Sequence, residues 1–249
     1  MPKIRLLGQG DVTDCMQLKE AAGWNQTAAD WLALLAASPL GCFGVEEDGR
    51  VVASATAVAH GGVGWVGMVL TDPAYRGRGL ATALLGETLA YLDGVVETVK
   101  LDATAAGEPL YRKLGFVEEA VIERWVCEGF AGSGGVLTER YGGPLRHSGA
   151  VPVDVLAECD GAWGAGRAGS SAFYFGPCYG SSDAAVEGVA RAVLGGRGRA
   201  MWDLFPGHAA AGVAGRLGFV PARRLLRMVR GRAVPTAGDV YAIAGFEWG

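Results

Sequence analysis

Hydrophobic positions along the first half of the chain switch between the two-residue period of strands and the longer period of helices. The apolar runs 51–59 and 64–71 are rich in valine and are joined through Gly61 and Gly62, which predicts a buried β-hairpin. Residues 51–71 carry no charge and are long enough to span a bilayer, but the glycines and His60 interrupt the middle. We therefore interpret this stretch as two strands and not as a membrane span.

The same patterns predict the order β-α-α-β-β-β-α-β-α-β for residues 3–127. Asp11 is placed to cap the first helix, which Gly23 closes, and Thr27 with Asp30 resembles a capping box at the start of the second. The predicted strands are 3–7, 42–47, 51–59, 64–71, 98–104 and 116–127, and the predicted helices are 11–22, 27–37, 80–92 and a short one at Tyr111.

A glycine-rich turn bearing arginines lies between the strand 64–71 and the helix that starts near Leu80. The free N–H groups of a first helical turn and the helix dipole favour an anion. Gly77 and Gly79 allow the backbone to come close to a phosphate, and Arg76 and Arg78 add charged donors. The turn is therefore a candidate phosphate site, although a plain surface turn is the alternative.

The spacing in this turn argues against two common phosphate loops, since neither the Walker pattern nor Gly-x-Gly-x-x-Gly is present. What stands here is Arg76-x-x-Gly79-x-Ala81, with the lead-in Thr71-Asp72-Pro73-Ala74-Tyr75 before it. This sequence resembles the pyrophosphate-binding signature of the GNAT superfamily of acyl-CoA-dependent N-acetyltransferases. A second stretch, Leu110-Tyr111-Arg112-Lys113-Leu114-Gly115-Phe116, resembles the motif B of that family. The resemblance covers roughly residues 3–127.

The resemblance implies that acetyl-CoA binds as a co-substrate and that its thioester is attacked directly by an amine. Tyr111 stands at the usual position of the tyrosine that protonates the CoA sulfur, and a core aromatic residue is the alternative. By the same resemblance the pantetheine arm pairs with Val69, Leu70 and Thr71, and the pyrophosphate is held by Arg76, Gly77, Arg78, Gly79, Leu80, Ala81 and Thr82.

The general base is the least defined part of the predicted site. Many GNAT relatives carry a glutamate on the strand before the phosphate loop, but residues 64–71 contain no acid. His60 is the predicted base because its intrinsic pKa suits the task, although it is also a plain turn residue. Glu46, Glu47, Glu108 or a water relay to a more distant carboxylate are the alternatives.

The connection between the first two predicted helices borders the acceptor groove in GNAT-like folds. Trp24 and Trp31 are candidates for an aromatic wall of that groove, and Asp30 is a candidate for attracting a cationic amine. The alternative is that both tryptophans are core residues and that Asp30 only caps its helix.

The second half of the chain repeats signals of the first. Leu217-Gly218-Phe219-Val220 repeats Leu114-Gly115-Phe116-Val117, and a helix is predicted at 184–194. Gly180, Ser181, Ser182 and Asp183 stand opposite the phosphate turn, and Ala214 stands opposite Tyr111. We expect an α/β (α+β) fold of two tandem GNAT-like domains, each a mixed, mostly antiparallel twisted sheet flanked by helices. The predicted domains are 1–130, which is catalytic, and 131–249, which is degenerate, with a linker at 129–149.

Composition limits the partners. The formal net charge of −4 argues against nucleic acid, and the N-terminus carries no apolar signal segment. Five cysteines without a Cys-x-x-Cys pair predict neither a zinc site nor a disulfide framework, so no metal and a reducing cytoplasm are expected. High glycine and arginine with little lysine suggests a GC-rich coding bias, and the tandem arrangement resembles that of some bacterial proteins. A homodimer is left open.

The GNAT resemblance implies an N-acetyltransferase that transfers an acetyl group from acetyl-CoA to a primary amine of a small molecule or peptide. The rival hypothesis is a non-catalytic acyl-CoA-binding or sensing module, which the missing strand glutamate supports and Tyr111 opposes. A third interpretation, an NTP-binding enzyme, would require ATP to compete with CoA at Arg76.

Overall fold

The structure is a computed structural model that describes residues 3–130, 151–236 and 238–249. Its strands are β1 (Lys3–Leu6), β2 (Cys42–Glu47), β3 (Arg50–His60), β4 (Val63–Thr71), β5 (Thr98–Ala103), β6 (Val117–Phe130), β7 (Val155–Cys159), β8 (Ala162–Arg167), β9 (Phe173–Gly180), β10 (Gly198–Leu204), β11 (Val220–Gly231) and β12 (Val240–Ala242). Its α-helices are α1 (Val12–Ala21), α2 (Ala28–Ala37), α3 (Leu80–Asp93), α4 (Glu108–Lys113), α5 (Asp183–Leu194) and α6 (Ala209–Arg216).

The order predicted for the first half is confirmed, and the predicted hairpin is the β3–β4 pair. In the described part of the chain, no helix is long and apolar enough to cross a membrane. Two local predictions were wrong. The carboxylate of Asp11 binds Arg5 and the Gly8 N–H and does not cap α1. Gly129 and Phe130 belong to β6, while the rest of the predicted linker lies outside the described residues.

All the strands join one mostly antiparallel sheet that the helices flank, which confirms the predicted fold class. The strand order is β1-β2-β3-β4-β5-β11-β6-β10-β9-β8-β7, and β12 pairs with β9 outside this path. Among the described strands, β4 with β5 and β9 with β10 pair in parallel, and the other pairs are antiparallel.

The second half repeats the element order of the first. The series β2-β3-β4-α3-β5-α4-β6 is followed by β7-β8-β9-α5-β10-α6-β11. The turns after α4 and α6 have the same geometry. The N–H of Phe116 donates to the Tyr111 carbonyl over 3.1 Å, and the N–H of Phe219 donates to the Ala214 carbonyl over 3.0 Å. Local sequence similarity thus corresponds to local structural similarity.

The last strand of each half lies inside the part of the sheet formed by the other half. Strand β11 pairs with β5 on one side and β6 on the other, and β6 also pairs with β10. The core of the first half accordingly contains Met228 of β11, and the core of the second contains Phe130 of β6. The division into domains 1–130 and 131–249 stays a prediction, and the two halves are interleaved through these strands.

The sheet opens between β4 and β5, and this opening positions the site. In the described part of the chain the two strands pair only from Val63 to Trp65 of β4, and the rest of β4 has no partner strand on that edge. A bulge opposite β3 adds curvature at Met68, whose φ is +47°, and Ser54 donates to the Met68 carbonyl over 2.8 Å. The unpaired edge of β4 therefore faces a cleft with free backbone groups.

Candidate active site

The cleft beside the free edge of β4 has a volume of about 540 Å³, a size that suits a cofactor-sized ligand. Its walls come from β4, the start of α3, the β5–α4 connection, the loop after α1, and β6, β11 and the C-terminal segment. Of the predicted site residues, those that line it are Trp24, Val69, Leu70, Thr71, Arg76, Ala81 and Tyr111. The structure thus brings the two sequence motifs to one cavity.

One end of the cleft has the geometry of an anion site. Helix α3 begins after Gly79, which has a φ of +77° and no capping side chain, so the N–H groups of the first turn are left to a ligand. Gly77 also has a positive φ, of 75°, which a residue with a Cβ rarely adopts. The exposed Arg76 lines the cleft at this end, with its Nε 3.3 Å from the Thr71 carbonyl.

The remaining loop residues contribute differently from Arg76. Arg78 packs over the Tyr75 ring at 4.8 Å and lies 3.4 Å from Glu47, so its guanidinium is engaged beside the loop and is not among the cleft-lining groups. Leu80 is buried in the core and anchors the helix start. Gly77, Gly79, Leu80 and Thr82 shape the loop and first turn and do not line the cavity themselves.

Tyr111 lines the same cleft from the short helix α4. Its ring packs edge-on against Phe116 at 6.1 Å, and burial raises the pKa of the Tyr111 hydroxyl to about 12. The hydroxyl is therefore protonated at neutral pH and is able to donate a proton or a hydrogen bond into the cleft.

His60 lies elsewhere. It is the last residue of β3 and pairs with Val63, at the far end of the hairpin from Thr71. Its ring is 6.0 Å from that of Trp248, and burial lowers the pKa of the imidazole. The structure does not place His60 among the residues that line the cleft, so it does not bring His60 together with Tyr111.

Two of the three predicted substrate residues also lie outside the cleft. Trp31 is fully buried in the core beside Leu34. The carboxylate of Asp30 accepts hydrogen bonds from the N–H and hydroxyl of Thr27 and pairs with Arg167 at 2.9 Å. The Thr27–Asp30 capping box is confirmed, and this carboxylate is already paired before any amine arrives. Only Trp24 faces the cavity.

Sequence reasoning missed a carboxylate that lines the cleft, Glu247. The C-terminal segment 244–249 packs so closely on β4 that a Cβ added to Gly67 would lie 2.9 Å from the Glu247 Cα. Glu247 accepts hydrogen bonds from Arg167 Nη2 over 2.9 Å and from Gln26 Nε2 over 2.7 Å. Burial raises the pKa of Glu247. No local sequence signal marks this position, because only the tertiary fold brings it to β4.

The corresponding place in the second half is filled by the chain itself. Ser182 caps α5 by accepting from the Ala185 N–H over 3.3 Å. Strand β12 lies along β9 past the point where β9 and β10 separate, and the Ile243 N–H donates to the Asp203 carbonyl over 3.1 Å. The Trp202 indole N–H donates to the Tyr241 carbonyl over 2.8 Å. Within the described residues of this region, the start of α5 is capped and the edge of β9 is covered by β12.

The profile of the acetyltransferase (GNAT) family matches residues 13–116, which contain the anion site, Tyr111 and the opening between β4 and β5. Residues 13–116 therefore form a GNAT acetyltransferase domain, which supports an acyltransferase. A comparison with curated proteins gives no significant match.

Similar solved structures cover nearly the whole chain. A candidate acetyltransferase from Pyrococcus horikoshii matches with a TM-score of 0.76 and 18% identity over 99% of this chain and 95% of its own. A candidate acetyltransferase from Thermoplasma acidophilum gives a TM-score of 0.56 and 16% identity over 92% of this chain and 100% of its own. A GCN5-related N-acetyltransferase from Anabaena variabilis gives a TM-score of 0.56 and 13% identity over 92% of this chain and 72% of its own. At these identities the similarity shows the fold, in both halves of the chain.

Proposed function

We propose that the protein transfers an acetyl group from acetyl-CoA to a primary amine of a small molecule or peptide. The observation that carries the proposal is the single cleft that joins an uncapped helix start, a free strand edge and Tyr111. These three features suit the pyrophosphate, the amide-bearing arm and the sulfur of CoA, respectively.

The anion end binds the pyrophosphate through the backbone of the first turn of α3 and the side chain of Arg76. From there the pantetheine arm runs along Val69, Leu70 and Thr71. On the β5 side of these residues no described strand pairs with β4, so the backbone groups of that edge are free to pair. This arrangement carries the thioester toward the middle of β4, between Gly67 and the wall that holds Tyr111.

The reaction forms a C–N bond and breaks a C–S bond. A neutral amine attacks the thioester carbonyl, and backbone N–H groups on the free edge of β4 are suitably placed to stabilise the oxyanion. The thiolate of CoA then leaves and takes a proton from Tyr111, whose raised pKa keeps it protonated until that moment.

The second half of the chain binds no CoA in this proposal. Support comes from Ser182, which caps α5, and from Asp183, a negative charge at that helix start that would repel a pyrophosphate. Strand β12 also covers the edge of β9 that a pantetheine arm would need. One CoA site per chain is expected, in a cytoplasmic protein whose partner is an amine and not a nucleic acid or membrane.

The test is a calorimetric titration with acetyl-CoA of the wild type, Arg76→Glu and the control Arg197→Glu. Arg197 is an exposed arginine of the second half that packs over Phe173 at 4.6 Å. We expect one site per chain in the wild type and the control, and affinity reduced at least tenfold in Arg76→Glu, because a repulsive charge replaces a phosphate donor. Two sites per chain, or no binding by the wild type, would contradict the proposal.

Thiol release with a panel of amines distinguishes this enzyme from the rival hypothesis, a module that binds acyl-CoA without catalysis. An enzyme releases CoA faster when the right amine is present, and Tyr111→Phe slows the release while acetyl-CoA still binds. A sensing module binds acetyl-CoA equally well and shows neither effect.

A further inference from the structure

The proposed reaction needs a group that removes a proton from the amine, because a protonated amine has no lone pair for attack. The cleft-lining part of β4 has no acidic residue, and His60 lies at the other end of the hairpin. The carboxylates among the cleft-lining residues are Asp102 and Glu247. Both oxygens of Asp102 accept from the Arg227 guanidinium over 2.8 Å. Only one oxygen of Glu247 accepts from an arginine, while the other accepts from the neutral Gln26 amide, so Glu247 is the candidate.

Glu247 stands where the proposed thioester would lie. Its backbone contacts Gly67 of β4, and the absence of a side chain at Gly67 is what allows the contact. Its carboxylate uses one oxygen for Arg167 and the other for Gln26. A carboxylate has about four acceptor positions, so lone pairs remain for a third donor.

A second observation shows that this part of the cleft lacks a donor. The Gln26 side-chain oxygen is buried and has no hydrogen-bond partner among the described residues, and Gln26 lines the cleft together with Glu247. A buried acceptor without a donor has lost its water and gained nothing in return, and a ligand N–H would recover that loss. Two adjacent acceptors, one of them charged, suit an ammonium or amine group.

The charges around Glu247 come from four neighbouring elements. Arg167 on β8 and Arg124 on β6 are positive, Asp30 on α2 is negative, and Tyr174 on β9 is neutral at ordinary pH. Burial is the largest influence and raises the pKa of Glu247, Asp30 raises it further, and Arg167 opposes both. A carboxylate whose pKa is moved toward neutrality is better matched to accepting a proton from an amine.

We propose that Glu247 accepts the proton of the acceptor amine while the Gln26 side-chain oxygen holds that amine in the cleft. This inference rests on the proposed function. It gives the second half of the chain, which has no CoA site of its own in our proposal, a direct part in the chemistry of the first.

The step balances with the groups at hand. The ammonium gives one proton to Glu247, its nitrogen attacks the thioester carbon, and the thiolate leaves with a proton from Tyr111. The new amide nitrogen loses its extra proton, which restores Tyr111 through water, and Glu247 releases its proton to solvent. The products are an N-acetyl amide, free CoA and one proton.

The test measures thiol release with acetyl-CoA across a range of pH for the wild type, Glu247→Gln, Glu247→Asp and Glu187→Gln. Glu187 is the matched control because it is also a glutamate of the second half, paired with Arg191 and Arg216 away from the cleft. Two acceptors are compared. The first is the best alkylamine from a panel of lysine, glucosamine, spermidine, phenethylamine and short peptides. The second is methoxyamine, which is already neutral at the assay pH.

We expect Glu247→Gln to lower kcat/KM for the alkylamine by roughly 10²-fold or more near neutral pH while acetyl-CoA binding is unchanged. The kcat/KM of Glu247→Gln should rise tenfold per pH unit up to the pKa of the amine. Without the carboxylate, the variant depends on amine that is already neutral in solution, and that fraction grows with pH. The loss should be smaller with methoxyamine, Glu247→Asp should restore part of the rate, and Glu187→Gln should behave as wild type.

If Glu247→Gln lost the same factor in kcat/KM at every pH and with both nucleophiles, Glu247 would only support the cleft. If its kcat/KM were unchanged, Glu247 would have no part in the reaction. Both results overturn the inference and leave the proposed function standing. If the wild type binds acetyl-CoA but transfers to no amine of the panel, the proposed function itself fails, and this inference fails with it.

Discussion

The raised pKa of Glu247 also predicts how the stability of the protein depends on pH, which can be tested without a substrate. A carboxyl whose pKa is raised in the folded state stabilises the fold below its unfolded pKa of about 4.3, and that contribution is lost as pH rises through the folded pKa. Because Gln at 247 cannot ionise, the free energy of unfolding of Glu247→Gln should rise relative to that of the wild type as pH increases.

Urea unfolding of both proteins from about pH 4 to about pH 8 measures this difference. The two curves should separate progressively over that range. A difference that stays constant with pH would mean that the folded and unfolded states share one pKa at this position.

Single residues show what a local motif can predict. Arg76 and Tyr111 each belong to a short motif whose neighbours fix its local geometry, and both line the cleft, while their roles there stay predictions. Glu247 has no such context. Asp30 was predicted to attract a cationic amine, but its carboxylate pairs with Arg167. That arginine lies in the other half of the chain, so the sequence near Asp30 does not reveal the pair. Long-range ion pairs of this kind leave no periodic trace in a sequence.

Among the elements, β4 and the C-terminal segment depend on each other through Gly67. An Ala at 67 would place its Cβ 2.9 Å from the Glu247 Cα, so the segment must move away from the strand. We expect Gly67→Ala to lower the free energy of unfolding by about 1–3 kcal/mol and to reduce thiol release with the best amine, because Glu247 shifts with its backbone.

Gly86 is the matched control for this substitution. It lies within α3, and a Cβ there meets nothing within 4 Å. Gly86→Ala should stabilise the helix by roughly 0.5–1 kcal/mol and leave thiol release unchanged. If Gly67→Ala and Gly86→Ala changed unfolding and thiol release alike, the contact between β4 and Glu247 would not depend on the missing side chain at Gly67.

Elements with a strong hydrophobic period or a recognisable cap were predictable from sequence. The Thr27–Asp30 capping box and the β3–β4 hairpin are examples. By contrast, β12 has only three residues, and the turn at 244–249 contains neither a period nor a cap. Both are held by tertiary contacts, such as the Ile243 N–H with the Asp203 carbonyl, and so had no local signal.

At the scale of the whole molecule, the repeat of Leu-Gly-Phe-Val indicated two similar halves but not the exchange of their last strands. Strands β6 and β11 both begin at the valine of this repeat, so the repeat does not say which of them pairs with β5. Which of them pairs with β5 is decided by matched groups across the sheet, such as the buried pair of Arg227 on β11 with Asp102 on β5. The pairing makes the two halves one sheet.

This exchange predicts that the protein unfolds in one cooperative transition, because neither half has a complete sheet without the other. Arg227 and Asp102 join β11 to β5, and Arg124 and Asp203 join β6 to β10, in each case with both partners buried. Scanning calorimetry should give a calorimetric enthalpy close to the van't Hoff enthalpy.

Arg227→Ala tests the same point, because it leaves Asp102 buried without its partner and should cost about 3–5 kcal/mol. The whole transition should then move down together, by about 2–4 °C for each kcal/mol in a chain of this size. The control Arg191→Ala removes an exposed pair with Glu187 and should cost at most about 1 kcal/mol. Two separate transitions, of which Arg227→Ala shifts only one, would show that the halves unfold independently and that the exchanged strands do not couple them.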